Sequence, residues 1–171
     1  MSATTALSRR GFLSGRTRAE PVIAEPFRVH PPWTGREGFR ACTDCGACVE
    51  ACPTEIVSLT GGVHLEFAAG ECTFCGACAA VCPEPVFDRA QPHPFQHVAA
   101  IGEACLARAG VVCQSCGDAC PERAIRFTPR RGGPFLPTVV GDSCTGCGAC
   151  VSPCPVAAIG MAAAPREFAD G

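Results

Sequence analysis

A chain of 171 residues with 47% apolar content fits one domain or two small ones, but its 16 cysteines, about nine per cent of the chain, narrow it to a disulfide scaffold or a metal protein. Residues 1–40 hold no apolar stretch of signal-peptide length and no run approaches the roughly 20 apolar residues of a membrane span, so we expect a cytoplasmic protein with no direct membrane insertion. The formal charge of −2 comes with no lysine and no basic run interleaved with aromatics, so nucleic-acid binding finds no support.

Residues 1–40 carry seven Arg against three Glu, whereas the rest carries seven Arg against thirteen acids. With Pro21, Pro26, Pro31, Pro32 and the only tryptophan, Trp33, this segment reads as an extended basic N-terminal arm. Ser8-Arg9-Arg10-Gly11-Phe12-Leu13 looks like a twin-arginine export signal, yet Ser14-Gly15-Arg16-Thr17-Arg18 follows where an apolar core belongs, so export by that route should fail. Two readings stand. The segment is a plain basic tail, or it is a docking arm in which Arg9 and Arg10 fork onto a partner's carboxylates while Phe12, Leu13 and Trp33 act as apolar anchors.

From Cys42 onward a unit repeats: a cysteine cluster, a Cys-Pro, a short helical turn and a strand pair. Residues 41–84 form the first half. There Val57 and Leu59, then Gly61-Gly62, then Val63, Leu65 and Phe67 alternate as a two-residue hairpin would. Residues 85–102, with Pro85, Pro92 and Pro94, read as a linker over the surface, and His93 and His97 within it as ordinary surface residues. Residues 103–171 form the second half, with strands at 124–128 and 136–140 joined by a longer turn. The expected class is α+β and loop-rich, with small hairpins and short helices around metal clusters.

Motif one is Cys42, Cys45, Cys48, Cys52; motif two is Cys72, Cys75, Cys78, Cys82; motif four is Cys144, Cys147, Cys150, Cys154. Each has the spacing C-x2-C-x2-C-x3-C-P, the bacterial ferredoxin run for a four-iron four-sulfur cubane. Three thiolates on one loop wrap three corners, and the fourth points away to ligate the other cluster of its pair. Motif three, Cys105, Cys113, Cys116, Cys120, has five extra residues between its first two cysteines. The expected ligand sets are Cys42, Cys45, Cys48, Cys82; Cys72, Cys75, Cys78, Cys52; Cys105, Cys113, Cys116, Cys154; and Cys144, Cys147, Cys150, Cys120. Zinc is the competing metal, but its sites take one Cys pair from each of two distant loops, not four thiols within eleven residues. Four oxidised cubanes with their thiolates, at about −2 each, would bring the folded chain to about −10.

Gly46, Gly76 and Gly148 each follow the second Cys, where a missing Cβ lets backbone N–H groups approach cluster sulfur. Gln114 replaces this glycine in motif three. Either that cluster is looser, more exposed or shifted in potential, or glutamine simply fits. The clusters stand in for a hydrophobic core the repeats cannot build, and four of them in so short a chain also suggest an electron relay. No Gly-rich nucleotide loop or nucleophile–base set marks a substrate-converting enzyme.

The arm's Ser8-to-Arg16 start, Pro31-Pro32-Trp33, the four motifs and the Cys105-to-Cys113 gap together cover nearly the whole chain. In these features it resembles the NapF family, ferredoxin-type proteins of periplasmic nitrate reductase systems. Generic ferredoxins share the cysteine runs but not the arm or the gap. The resemblance implies two fused two-cluster ferredoxin-like halves and a cytoplasmic accessory protein. It also implies a partner, the precursor of the catalytic subunit NapA, to be matured or supplied with electrons before export. The rival expectation is a general polyferredoxin carrier or a redox subunit of another oxidoreductase.

Overall fold

The cysteine motifs leave little chain for regular structure, and what forms between them is short. A computed structural model describes residues 27–35 and 38–164. Three helices in it are single turns: α1 (Ala47–Glu50), α2 (Ala77–Val81) and α3 (Ser115–Asp118). A residue before proline is pushed out of the helical region, so the Cys-Pro junctions stop these turns. Cys82, at the end of α2, is extended with ψ 122.

The strands pair antiparallel in three small sheets. β1 (Val57–Ser58) pairs with β2 (His64–Leu65), β3 (His97–Ile101) with β6 (Ile159–Ala163), and β4 (Ile125–Thr128) with β5 (Leu136–Val139). The same order of parts occurs twice. Motifs three and four flank the β4–β5 hairpin, and β3 and β6 close the two ends on each other. Motifs one and two flank β1–β2, and a single bridge, Thr34 to Phe87, takes the place of the outer pair.

Three expectations are corrected. Val57 lies opposite Leu65 and Ser58 opposite His64, a register one residue off that of a two-residue Gly61-Gly62 turn. A one-residue slip would move every side chain to the other face; the observed register keeps Val57 and Leu65, both buried, on the same side, and leaves Leu59 exposed at the turn. The 85–102 segment is not only a linker, because it contributes β3. Nor do residues 27–35 extend from the body: Pro31 is fully buried and Trp33 is 8% exposed. The Trp33 N–H donates to the Pro94 carbonyl at 2.7 Å, the Asp88 N–H donates to the Trp33 carbonyl at 2.9 Å, and Arg89 lies over the indole. An indole left in water forfeits a large apolar area, and this segment packs it between motif two and the 85–94 loop.

The repeats do build small apolar cores of their own, two of them, beside the cysteines. Val29, Ile56, Val57, Val63, Leu65 and Phe67 form one, and Ala99, Ile125 and Ile159 with Cys116 and Cys150 form the other. Val151 and Met161 pack against both. Each core borders cysteines, so what positions the hairpins also positions the thiols.

Candidate iron–sulfur centres

Four cavities are lined by four cysteines each, and each gathers three from one motif and one from another. Cys42, Cys45 and Cys48 share a cavity with Cys82. Cys72, Cys75 and Cys78 share one with Cys52. Cys105, Cys113 and Cys116 face Cys154, while Cys144, Cys147 and Cys150 face Cys120. These groupings are the crossed sets expected from the spacing. Each cavity is lined by four thiols, the donor set that a cubane takes at its four irons. A roomier cavity, about 480 Å³, lies apart from them, lined by Phe27, Val29, Phe39, Phe95 and their neighbours, and has no cysteine.

The loops are built around left-handed backbone. Gly46, Gly76 and Gly148 have φ of 83, 76 and 85, where glycine avoids the penalty a Cβ brings. At Gly148 the reason is also steric, because a Cβ there would land in the Phe67 ring. Gln114, by contrast, sits at φ −133, so motif three enters α3 by a different path. Its five extra residues form one helical turn. The Ala109 N–H donates to the Cys105 carbonyl and the Val111 N–H to that of Leu106, with Gly110 left-handed at φ 90. That is a Schellman-type stop, and it packs Ala107 at 0% exposure.

Buried thiols crowded together keep their protons. Burial, then Cys144 and Cys147 nearby, push Cys150 up to about 12. Burial chiefly pushes Cys72 and Cys78 up to about 11. Four thiolates cannot share such a space without positive charge, and iron supplies it. Cys52 goes the other way. Burial raises its pKa, but the Thr54 hydroxyl and the backbone N–H groups of Ile56, Thr54 and Val57 outweigh it and leave a net lowering. Two other fourth cysteines receive the same kind of bond: the Ala124 N–H donates to Cys120 Sγ at 3.3 Å and the Ala158 N–H to Cys154 Sγ at 3.2 Å.

One feature invisible in the motifs is where the halves meet. The Cys72 N–H donates to the Cys147 carbonyl at 2.8 Å, so loops of motifs two and four touch through two cysteines. His97, expected at the surface, is 5% exposed. Its Nε2 donates to the Gly146 carbonyl at 2.9 Å, and the rings of Phe27, Phe67 and Phe95 surround it. Of the residues assigned to partner contact, Trp33 is packed into the body as described above. Arg9, Arg10, Phe12 and Leu13 lie outside the described residues.

Comparison with known proteins agrees with this chemistry. One 4Fe-4S dicluster domain profile matches residues 35–83 and another matches residues 111–158. With 16 cysteines, these account for four 4Fe-4S clusters. The chain is 40% identical over 156 residues to the ferredoxin-type protein NapF of Escherichia coli (strain K12), covering 89% of this chain and 92% of that protein. It is 40% identical over 164 residues to NapF of Haemophilus influenzae, covering 91% and 93%. The methylamine utilization ferredoxin-type protein MauM of Methylophilus methylotrophus is 31% identical over 174 residues, covering 90% and 75%.

Proposed function

The chain belongs to the family of ferredoxin-type NapF proteins, and from that premise we propose that it serves the catalytic subunit of a periplasmic nitrate reductase, NapA. In this reading it binds the NapA precursor in the cytoplasm, before export, and delivers electrons to it or assists its maturation. What carries the reading is the 40% identity over about nine tenths of both chains, which takes in far more than the cysteine runs.

The ligands of the four clusters are then the crossed sets that line the four cavities. Bound there, each cluster takes up and gives back one electron. The protein's own part is to shape the cavities, donate N–H groups to cysteine sulfur and hold the motif-two and motif-four loops together at the Cys72–Cys147 hydrogen bond. The two-cluster halves thereby form one carrier, and no substrate-converting chemistry is assigned to it.

The likeness to MauM favours a second reading, a carrier whose architecture serves more than one redox system. Anaerobic capture separates the two. The cluster-loaded protein, immobilised, should retain the NapA precursor well above a two-cluster ferredoxin control. Equal retention by the control would sink the nitrate reductase reading and leave the general carrier.

A further inference from the structure

In three motifs the chain makes one turn after the fourth cysteine. Cys52, Cys120 and Cys154 are each followed by proline, one further residue, and then a non-glycine residue in the left-handed region: Glu55 (φ 54), Arg123 (φ 50) and Ala157 (φ 48). The N–H of that residue donates to the cysteine carbonyl, at 3.2, 3.1 and 3.2 Å respectively. Its left-handed φ then aims the next N–H at the cysteine sulfur, as Ala124 and Ala158 do. Such a conformation is strained for a residue with a Cβ and persists only where its surroundings demand it. Recurrence at three equivalent places marks it as a device for placing a hydrogen bond on sulfur.

The fourth instance breaks the rule. Cys82 is followed by Pro83, Glu84 and Pro85. Proline has no N–H to return to the Cys82 carbonyl, and its ring locks φ near −65°, so the left-handed turn is closed to it. The next N–H, that of Val86, donates instead to the Glu84 carbonyl at 2.8 Å. Among the described residues the backbone donor that Cys120 and Cys154 receive is missing at Cys82. An N–H bond to thiolate sulfur stabilises a cluster more as it gains negative charge, so each such bond raises the reduction potential and its loss lowers it.

We propose that Pro85 is a potential-setting residue: by denying Cys82 the backbone hydrogen bond, it holds the cluster of Cys42, Cys45, Cys48 and Cys82 more reducing than the common turn would. This rests on the crossed ligand sets proposed above.

Pro85→Ala recreates the Cys-Pro-x-Ala order of motif four. Redox titration of the four-cluster protein, followed by electron paramagnetic resonance, should show one cluster shifted to less negative potential and three unmoved. That cluster should be the one whose signal Cys45→Ser perturbs. The reciprocal Ala157→Pro should shift the cluster held by Cys105, Cys113, Cys116 and Cys154 to more negative potential, so the two variants move in opposite directions. No shift in any cluster of Pro85→Ala, with iron content intact, overturns the proposal. A shift confined to the signal that Cys75→Ser perturbs overturns the crossed ligand sets, and the proposal with them.

Discussion

A single Cβ separates the glycines of this chain into two kinds. Gly62 is left-handed at φ 101 with no atom within 4 Å of where a Cβ would stand, whereas at Gly148 the Phe67 ring occupies that position. Gly62→Ala should therefore cost only the left-handed penalty, roughly 1–2 kcal/mol. Gly148→Ala adds displacement of a buried ring beside three cluster ligands. We expect iron content to fall from about sixteen towards about twelve per chain in Gly148→Ala and to stay at wild-type level in Gly62→Ala. Equal iron in the two variants would contradict the steric account. The need for glycine after the second cysteine was legible in the sequence, since a cubane loop requires close backbone approach. The Phe67 ring over Gly148 was not, because 81 positions part the two residues and no periodicity links them. Motif three's exception was half legible: Gln114 signals a different backbone, but not that the extra residues would close as one helical turn at Gly110.

Strands flanking the motifs were legible where β-branched residues and turn signals coincide, as in β4 and β5. They were hidden where alanine and glycine make up the strand, as in β6 (Ile159–Ala163), whose partner β3 lies among prolines. Pairing at that distance depends on where the cysteines bring the chain, which local propensity does not record. The same blindness put His97, the first residue of β3, at the surface. Burial among Phe27, Phe67 and Phe95 lowers its pKa below the ordinary 6.5, against the opposing pull of the Gly146 carbonyl. A depressed histidine pKa gives stability that is fully present above about pH 6.5 and is lost as pH falls through the folded value. The contact between β3 and the motif-four loop should thus weaken on acidification. Between about pH 7.5 and about pH 5.5 the thermal midpoint of the anaerobic protein should fall more steeply than that of His97→Gln, which has no proton to gain. Parallel pH profiles would place the acid sensitivity elsewhere.

At the scale of the whole molecule, the sequence divides into an arm and a body, and the structure moves the boundary between them. Val29, Pro31 and Trp33 belong to the body by burial. The Leu65 N–H donates to the Val29 carbonyl at 2.7 Å, and Thr34 bridges to Phe87 across the end of the first half. Removing residues 1–40 would therefore strip part of the first core along with the arm, and lost partner capture in that variant would say nothing about docking. Removing residues 1–26 takes away Arg9, Arg10, Phe12 and Leu13 and leaves every described contact in place. If the arm is the docking element, this shorter truncation should keep all four clusters and the wild-type melting behaviour yet retain the NapA precursor at least about tenfold less well, a loss of about 1.4 kcal/mol. The longer truncation should lose iron and thermal stability as well, because buried Trp33 and Val29 together supply several kcal/mol of packing, on the order of 3–5 for the indole alone. Undiminished precursor retention after removal of residues 1–26 would assign docking to the cluster-bearing body and leave the twin arginine as part of a plain basic tail.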